Sequence, residues 1–277
     1  MTLIELIIVI TLTAIVMTFV AMFLITPIHA YADESTRAQL VDAADGALRL
    51  LGRDLRAALP NSVRVTTNGG TVALEFLATI DGARYRDDGP LGDASRWLDF
   101  TAPDGAFATT VPFSQITPPW TSSTAYLAIY NVGVPGANAY DLANVITPPG
   151  TTINIAAGSA ANEQLVTLNP AFKFAWGSPG KRVYLVSGPV SYVCDPAAGT
   201  LTRYSGYPIS ATQAADGATL SAAGAAAGLV ASAVSACQFS YAPGTAARAG
   251  LATLTLQLAQ GGQQIQLLSQ VHLVNAP

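Results

Sequence analysis

Met1-Thr2-Leu3-Ile4-Glu5-Leu6-Ile7-Ile8-Val9-Ile10 sets one carboxylate inside an otherwise unbroken apolar run. Residues 11–28 continue the run, and Glu5 is the only formal charge before Asp33. Spanning a hydrocarbon core of roughly 30 Å takes about 20 apolar residues, so this stretch is long enough. A charge held in that core costs roughly 2.5–3.5 kcal/mol on insertion scales. An acid there is therefore a functional candidate, and what Glu5 pairs with becomes the question.

Two plain readings compete for the segment. A secretory signal peptide would use Ala30-Tyr31-Ala32 as its small-residue cleavage site. Against it, no Lys or Arg precedes the apolar run, which is about twice the usual length of roughly 7–15 residues. An ordinary membrane anchor fits the length but leaves Glu5 unexplained. The first turn of a helix offers unsatisfied N–H groups and a partial positive charge, and both favour a carboxylate.

Past Ile28 the pattern changes while helicity is expected to continue. Leu40, Ala44, Leu48, Leu51, Leu55 and Leu59 recur every three or four residues, which is one face of an amphipathic helix. Arg37, Asp42, Asp45, Arg49, Arg53, Asp54 and Arg56 take the remaining positions. Pro60 cannot continue the ladder, so the helix should stop near Leu59, with Pro27 as a candidate kink. The leucine stripe reads as core against a sheet, with a coiled-coil partner as the sharper alternative.

Residues 61–277 are long enough for one large β-rich core. Charged residues make up only 11% of the chain, and the net charge of −4 with scattered Arg leaves no basic stripe for nucleic acid. Alternation places strands at 71–78, 126–132, 165–168, 182–187, 190–194, 201–204 and 233–241. Residues 251–258 and 265–273 flank Gln260-Gly261-Gly262-Gln263 and read as a terminal hairpin, with Leu254, Leu256 and Leu258 inward. Residues 79–120 and 133–176 read as long irregular loops, and a short helix is expected around 220–229.

Catalytic constellations are absent from the sequence pattern. His29 and His272 have no catalytic context, and Gly177-Ser178-Pro179-Gly180-Lys181-Arg182 lacks the spacing of a phosphate loop. Asp87, Asp88 and Asp93 lack the alternating ligands of a calcium loop and read as a solvated turn. Trp97, Trp120 and Trp176, with Tyr126, Tyr130 and Tyr140, would either line a glycan-binding groove or fill a core. The residues call for no cofactor and no metal, and the expectation is a non-enzymatic chain.

The opening Met1-Thr2-Leu3-Ile4-Glu5-Leu6 resembles the start of a mature type IV pilin or pseudopilin. Arg53-Asp-Leu-Arg-Ala-Ala-Leu-Pro-Asn-Ser-Val-Arg-Val65 and Arg182-Val-Tyr-Leu-Val-Ser-Gly-Pro-Val-Ser-Tyr-Val-Cys194 extend the likeness. So do Leu201-Thr-Arg-Tyr-Ser-Gly-Tyr207 and Gln270-Val-His-Leu-Val-Asn-Ala-Pro277. These segments are similar to minor pilins of the mannose-sensitive haemagglutinin (MSHA) pilus and to J-type minor pseudopilins of type II secretion. The resemblance covers the helix and most of the C-terminal half, and is weak over residues 80–175. It departs at Met1, where Phe is commonest in the family.

The resemblance implies an α+β chain with the type IV pilin fold. A hydrophobic helix (1–28), its amphipathic continuation (29–59) and an enlarged antiparallel β head (61–277) would make it up. It implies cleavage of a leader by prepilin peptidase, N-methylation of Met1, and a Glu5 contact with a neighbouring subunit's amine. Expected partners are the major pilin, other minor pilins, the inner-membrane assembly platform and the membrane itself. The expected location is the inner membrane with the head in the periplasm, then the pilus tip; the expected role is to initiate or cap assembly. A periplasmic head is in oxidising territory. Cys194 and Cys237 either form a disulfide, closing a loop of about 43 residues worth about 4 kcal/mol, or stay as free thiols on neighbouring strands.

Overall fold

The computed structural model describes residues 2–87, 96–142, 144–244 and 248–274, without the side chains of residues 24–29. One helix, α1 (Leu3–Arg56), runs 54 residues through Pro27 without interruption, about 81 Å at the usual rise. It stops three residues before the position expected from Pro60. Ala58 pairs with Ala78, and Leu59 N–H donates to the Leu77 carbonyl at 2.7 Å, so the sheet captures the chain before the proline can end the helix.

Thirteen strands follow among the described residues. They are β1 (Arg64–Asn68), β2 (Thr71–Tyr85), β3 (Asp104–Val111), β4 (Trp120–Ser122), β5 (Tyr126–Ala128), β6 (Thr152–Ala157) and β7 (Gln164–Phe172). Then come β8 (Arg182–Asp195), β9 (Thr200–Ser205), the short helix α2 (Gly217–Ala222), β10 (Ala226–Ser232), β11 (Val234–Ala242), β12 (Gly250–Gln260) and β13 (Gln263–Leu273). All pairings are antiparallel. The larger sheet runs β10-β9-β8-β2-β3-β7-β6-β4, with β1 on β2 and β5 on β8; the smaller runs β11-β12-β13.

The fold is thus an N-terminal apolar helix followed by antiparallel β structure, an α+β arrangement. Two regions expected as loops hold β3 and β6, and the strand expected at 165–168 is β7, longer at both ends. The strand expected at 71–78 continues to Tyr85, and the helix expected at 220–229 is α2 followed by a strand. Residues 182–194, read as two strands, are one. Gly188, at φ 128°, accommodates the register shift against β2, and Pro189 falls between the stretches of β8 that pair with β5 and with β9.

The leucine stripe organises the main core. Leu40, Ala44, Leu48, Leu51 and Leu55 pack with Leu74 and Phe76 of β2, Val190 and Tyr192 of β8, and Leu254, Leu256 and Leu258 of β12. The opposite face of β2 and β8 is also covered: Ala73 and Val193 meet Tyr207 and Leu220. That double covering explains the unbroken burial across 73–77, Glu75 included, which a sheet covered on one face would not give. A second core in the distal half joins Phe107, Leu127, Ile153, Ile155, Val166 and Leu185.

Candidate functional site

The first half of α1 is the feature with no explanation inside the protein. Over Leu3–Phe23 the mean hydropathy is 2.7 and none of the helix is buried. Its polar atoms are satisfied locally: the Thr11 hydroxyl donates to the Ile7 carbonyl at 2.9 Å and Thr18 to Ala14 at 2.8 Å. Thr13 reaches back to Val9 in the same way. Helical hydroxyls bonded to a carbonyl four residues back present little polarity outward. Glu5 stands apart from this as the one carboxyl side chain between Leu3 and Phe23. It sits in the first turn, where Thr2 N–H donates to its Oε2 at 3.1 Å and the Thr2 carbonyl accepts from Glu5 and Leu6 N–H. Met1, the other expected assembly residue, lies outside the described residues.

The second half of α1 is fastened to the sheets. Asp54 Oδ2 accepts from Arg203 Nε of β9 at 2.8 Å and from the Tyr192 hydroxyl of β8 at 2.9 Å. Burial, and then the Asp54 carboxylate beside it, push the Tyr192 hydroxyl well above its ordinary range. One carboxylate on the helix therefore bonds two adjacent strands. Gly52 faces β13, where an added Cβ would stand 3.4 Å from Val271, so a small residue lets helix and strand close up.

Cys194 of β8 and Cys237 of β11 form a disulfide, with Cα atoms 6.5 Å apart and a sequence separation of 43. It bonds the larger sheet to the smaller, beside the core that holds α1.

The sequence did not signal the buried polar cluster on the far face of β2. Glu75, almost wholly buried, accepts from Arg64 Nε at 3.0 Å and from the Tyr207 hydroxyl at 3.3 Å. Arg64 also donates to the Ser210 and Ala211 carbonyls at 2.8 Å and lies 3.6 Å from the centre of the Tyr140 ring. Ser191 and Tyr207 hydroxyls meet at 2.7 Å, with Ser191 fully buried. Burial raises the Glu75 carboxyl above its usual value, and Arg64 and Tyr207 offset part of that rise. The cluster pins the segment after β9 across the sheet, and its serine has no access to solvent.

The distal half holds a second buried acid, Glu163, paired with Arg86 at 3.4 Å and closely with Arg96. A cavity of about 450 Å³ opens there, lined by Arg96, Ala108, Ser159 and Glu163 among others. Of the residues weighed as a calcium turn, Asp87 pairs with Lys181, while Asp88 and Asp93 lie outside the described residues. No group of three or more His, Cys, Asp or Glu among the described residues is placed to hold a metal ion. The Gly177–Arg182 loop is used internally: Ser178 N–H bonds the Tyr85 hydroxyl at 2.8 Å. His272 is exposed on β13.

The six aromatics weighed as a groove are dispersed by the fold. Tyr140 is buried with its hydroxyl on the Ser62 carbonyl at 2.9 Å. Trp120 and Tyr130 pack against the distal core and Tyr126 against a third cluster, whereas Trp176 is 53% exposed. None of the six stacks on another aromatic ring among the described residues. Comparison with protein-family models, curated proteins and solved structures finds no match for the chain.

Proposed function

We propose that the chain is a minor type IV pilin of MSHA type, similar to the minor pilin MshO. On this reading it is a non-enzymatic structural subunit, without a cofactor, that primes or caps pilus assembly near the tip, and its fold is a type IV pilin fold with an enlarged head. The carrying observation is one acid in the first turn of an uncovered apolar helix that continues, unbroken, into the core of a β domain.

That geometry suits a subunit with two successive environments. Before assembly the first half of α1 lies in the inner membrane with the head in the periplasm. After assembly the same surface is covered by neighbouring helices in an extracellular fibre. Prepilin peptidase exposes and methylates the Met1 amine, and the assembly platform extracts the subunit. Glu5 then meets a neighbour's amine. A desolvated ion pair adds little net stability, but an unpaired buried charge is strongly penalised, so the pair selects one axial register. A head beginning at residue 61 and running to the end of the chain is bulky for a repeating shaft, which favours a terminal position.

The test is Glu5→Ala in cells that make the fibre. The variant should stay in the membrane at the wild-type level and be strongly depleted from sheared fibres. Equal recovery of variant and wild type in the fibre fraction would overturn the assembly role. A J-type pseudopilin of type II secretion would behave the same way, and the subunits that co-purify with the chain separate the two machines.

A further inference from the structure

On α1, Asp42, Asp45, Arg49, Arg53 and Arg56 follow one another at spacings of three, four, four and three, which puts them on one stripe of the helix. The stripe lies opposite the leucines that face the core, and Asp42, Arg49, Arg53 and Arg56 are exposed along it. Its charges are segregated, acids nearer the apolar half and bases farther from it. Little inside the protein uses them. Asp45 and Arg49 form an exposed pair at 2.8 Å, Arg53 reaches Asp54 at 3.4 Å, and Asp42 and Arg56 make no ion pair among the described residues.

Gly46 sits on the same side of the helix. A Cβ added there would meet nothing within 4 Å, so no packing contact in the protein calls for a glycine. Glycine inside a helix is destabilising relative to alanine. Beside the stripe, Asp45, Arg49 and Arg56 rim a groove of about 320 Å³ whose far wall includes Leu268 of β13, itself 63% exposed.

We propose that this stripe is the docking face for the parallel helix of a neighbouring fibre subunit whose charges run in the same order. The inference rests on the pilin reading, because anchoring by apolar N-terminal segments in one membrane is what makes the helices parallel. Two parallel helices with the same charge order repel when level and attract when one slides along the other. The centre of the acids and the centre of the bases are about nine residues apart, so the favoured stagger is about 14 Å. A neighbour displaced toward the membrane brings its bases beside Asp42 and Asp45. A neighbour displaced away from it brings its acids beside Arg49, Arg53 and Arg56. Gly46 lets the two backbones approach between the charge sets, and Leu268 supplies an apolar flank.

The experiment uses the full chain in fibre-forming cells and reads the ratio of protein in sheared fibres to protein in the membrane. Three variants are compared with wild type: Asp42→Lys with Asp45→Lys, Arg49→Glu with Arg53→Glu and Arg56→Glu, and Gly46→Leu. At least one charge set and Gly46→Leu should lower the ratio about tenfold, since like charges at an interface are strongly disfavoured. Loss with the acidic set alone places the subunit at the fibre end; loss with both places it within the shaft. A wild-type ratio for both charge sets, or for Gly46→Leu, overturns the proposal. Membrane level and head melting temperature are followed in parallel, and a set that lowers either is replaced by its Asn or Gln equivalents, read by the same criterion. Glu5→Ala in the same experiment separates the two failures. Normal ratios for the stripe variants beside a Glu5→Ala loss defeat only the docking face, whereas wild-type protein missing from fibres defeats the pilin reading and the face with it.

Discussion

The two halves of α1 have the same secondary structure and opposite surroundings. From Leu3 to Phe23 every face is apolar and none is buried. From Leu40 to Leu55 one stripe is apolar and is buried against two sheets, while the opposite stripe is charged. Composition already separates them: Leu3–Phe23 holds one formal charge, whereas Leu40–Leu55 holds five. Periodicity says what each needs: a helix apolar all round needs a covering on every side, whereas a single stripe needs one wall. The protein supplies that wall for the second half only. What covers the first half must come from outside the chain, which makes this region the natural place to look for function.

The contrast can be broken or sharpened by substitution. The largest effect should come from the bond that holds the walls together. Removing it with Cys194→Ala and Cys237→Ala should cost about 4 kcal/mol in urea unfolding of the full chain in detergent. An unchanged midpoint would mean the smaller sheet is held without it. Next, Leu51→Ala should destabilise the head by about 3 kcal/mol, because a fully buried leucine leaves a cavity. Leu12→Ala, made in the uncovered half, should leave head stability unchanged in the same assay. Equal losses from the two substitutions would erase the distinction between the halves.

The smallest effect concerns pH. Glu75 has a raised carboxyl pKa in the folded protein, so the folded state binds its proton more readily than the unfolded chain does. Its contribution therefore becomes more favourable as pH falls from its folded value toward the ordinary carboxylate range, and less favourable as pH rises. Relative to Glu75→Gln, wild-type stability should increase on acidification across that window, measured as midpoints of urea unfolding at successive pH values. A relative decrease would mean that the pair with Arg64 outweighs burial.

Much of this organisation was legible in the sequence, for identifiable reasons. Leu40 to Leu55 carry helical periodicity over four turns, and Leu254, Leu256 and Leu258 alternate beside a Gly-Gly turn, so both signals are local. The two cysteines offered a single pairing. The distal half was less legible. Residues 165–168 were legible as a short strand, but residues 104–111 and 152–157 lie among Pro, Gly, Asn and Thr, and pairing with β7 makes strands of them. The helix expected over 220–229 is present only to Ala222, because Ala-rich composition favours helix locally whereas β9 offers residues 226–232 an edge to pair with. The Glu75 cluster was invisible because Arg64, Tyr140, Ser191 and Tyr207 are distant in sequence and meet only in the fold.

The central claim of the proposed pilin reading is that the uncovered half of α1 stays with the head in the working protein. Intact-mass and N-terminal analysis of the fibre-associated protein tests it most directly. The account predicts a chain that starts at Met1 and carries one N-methyl group. A chain that starts at Asp33 would contradict it, leaving residues 1–32 as a secretory signal and the head without an anchor.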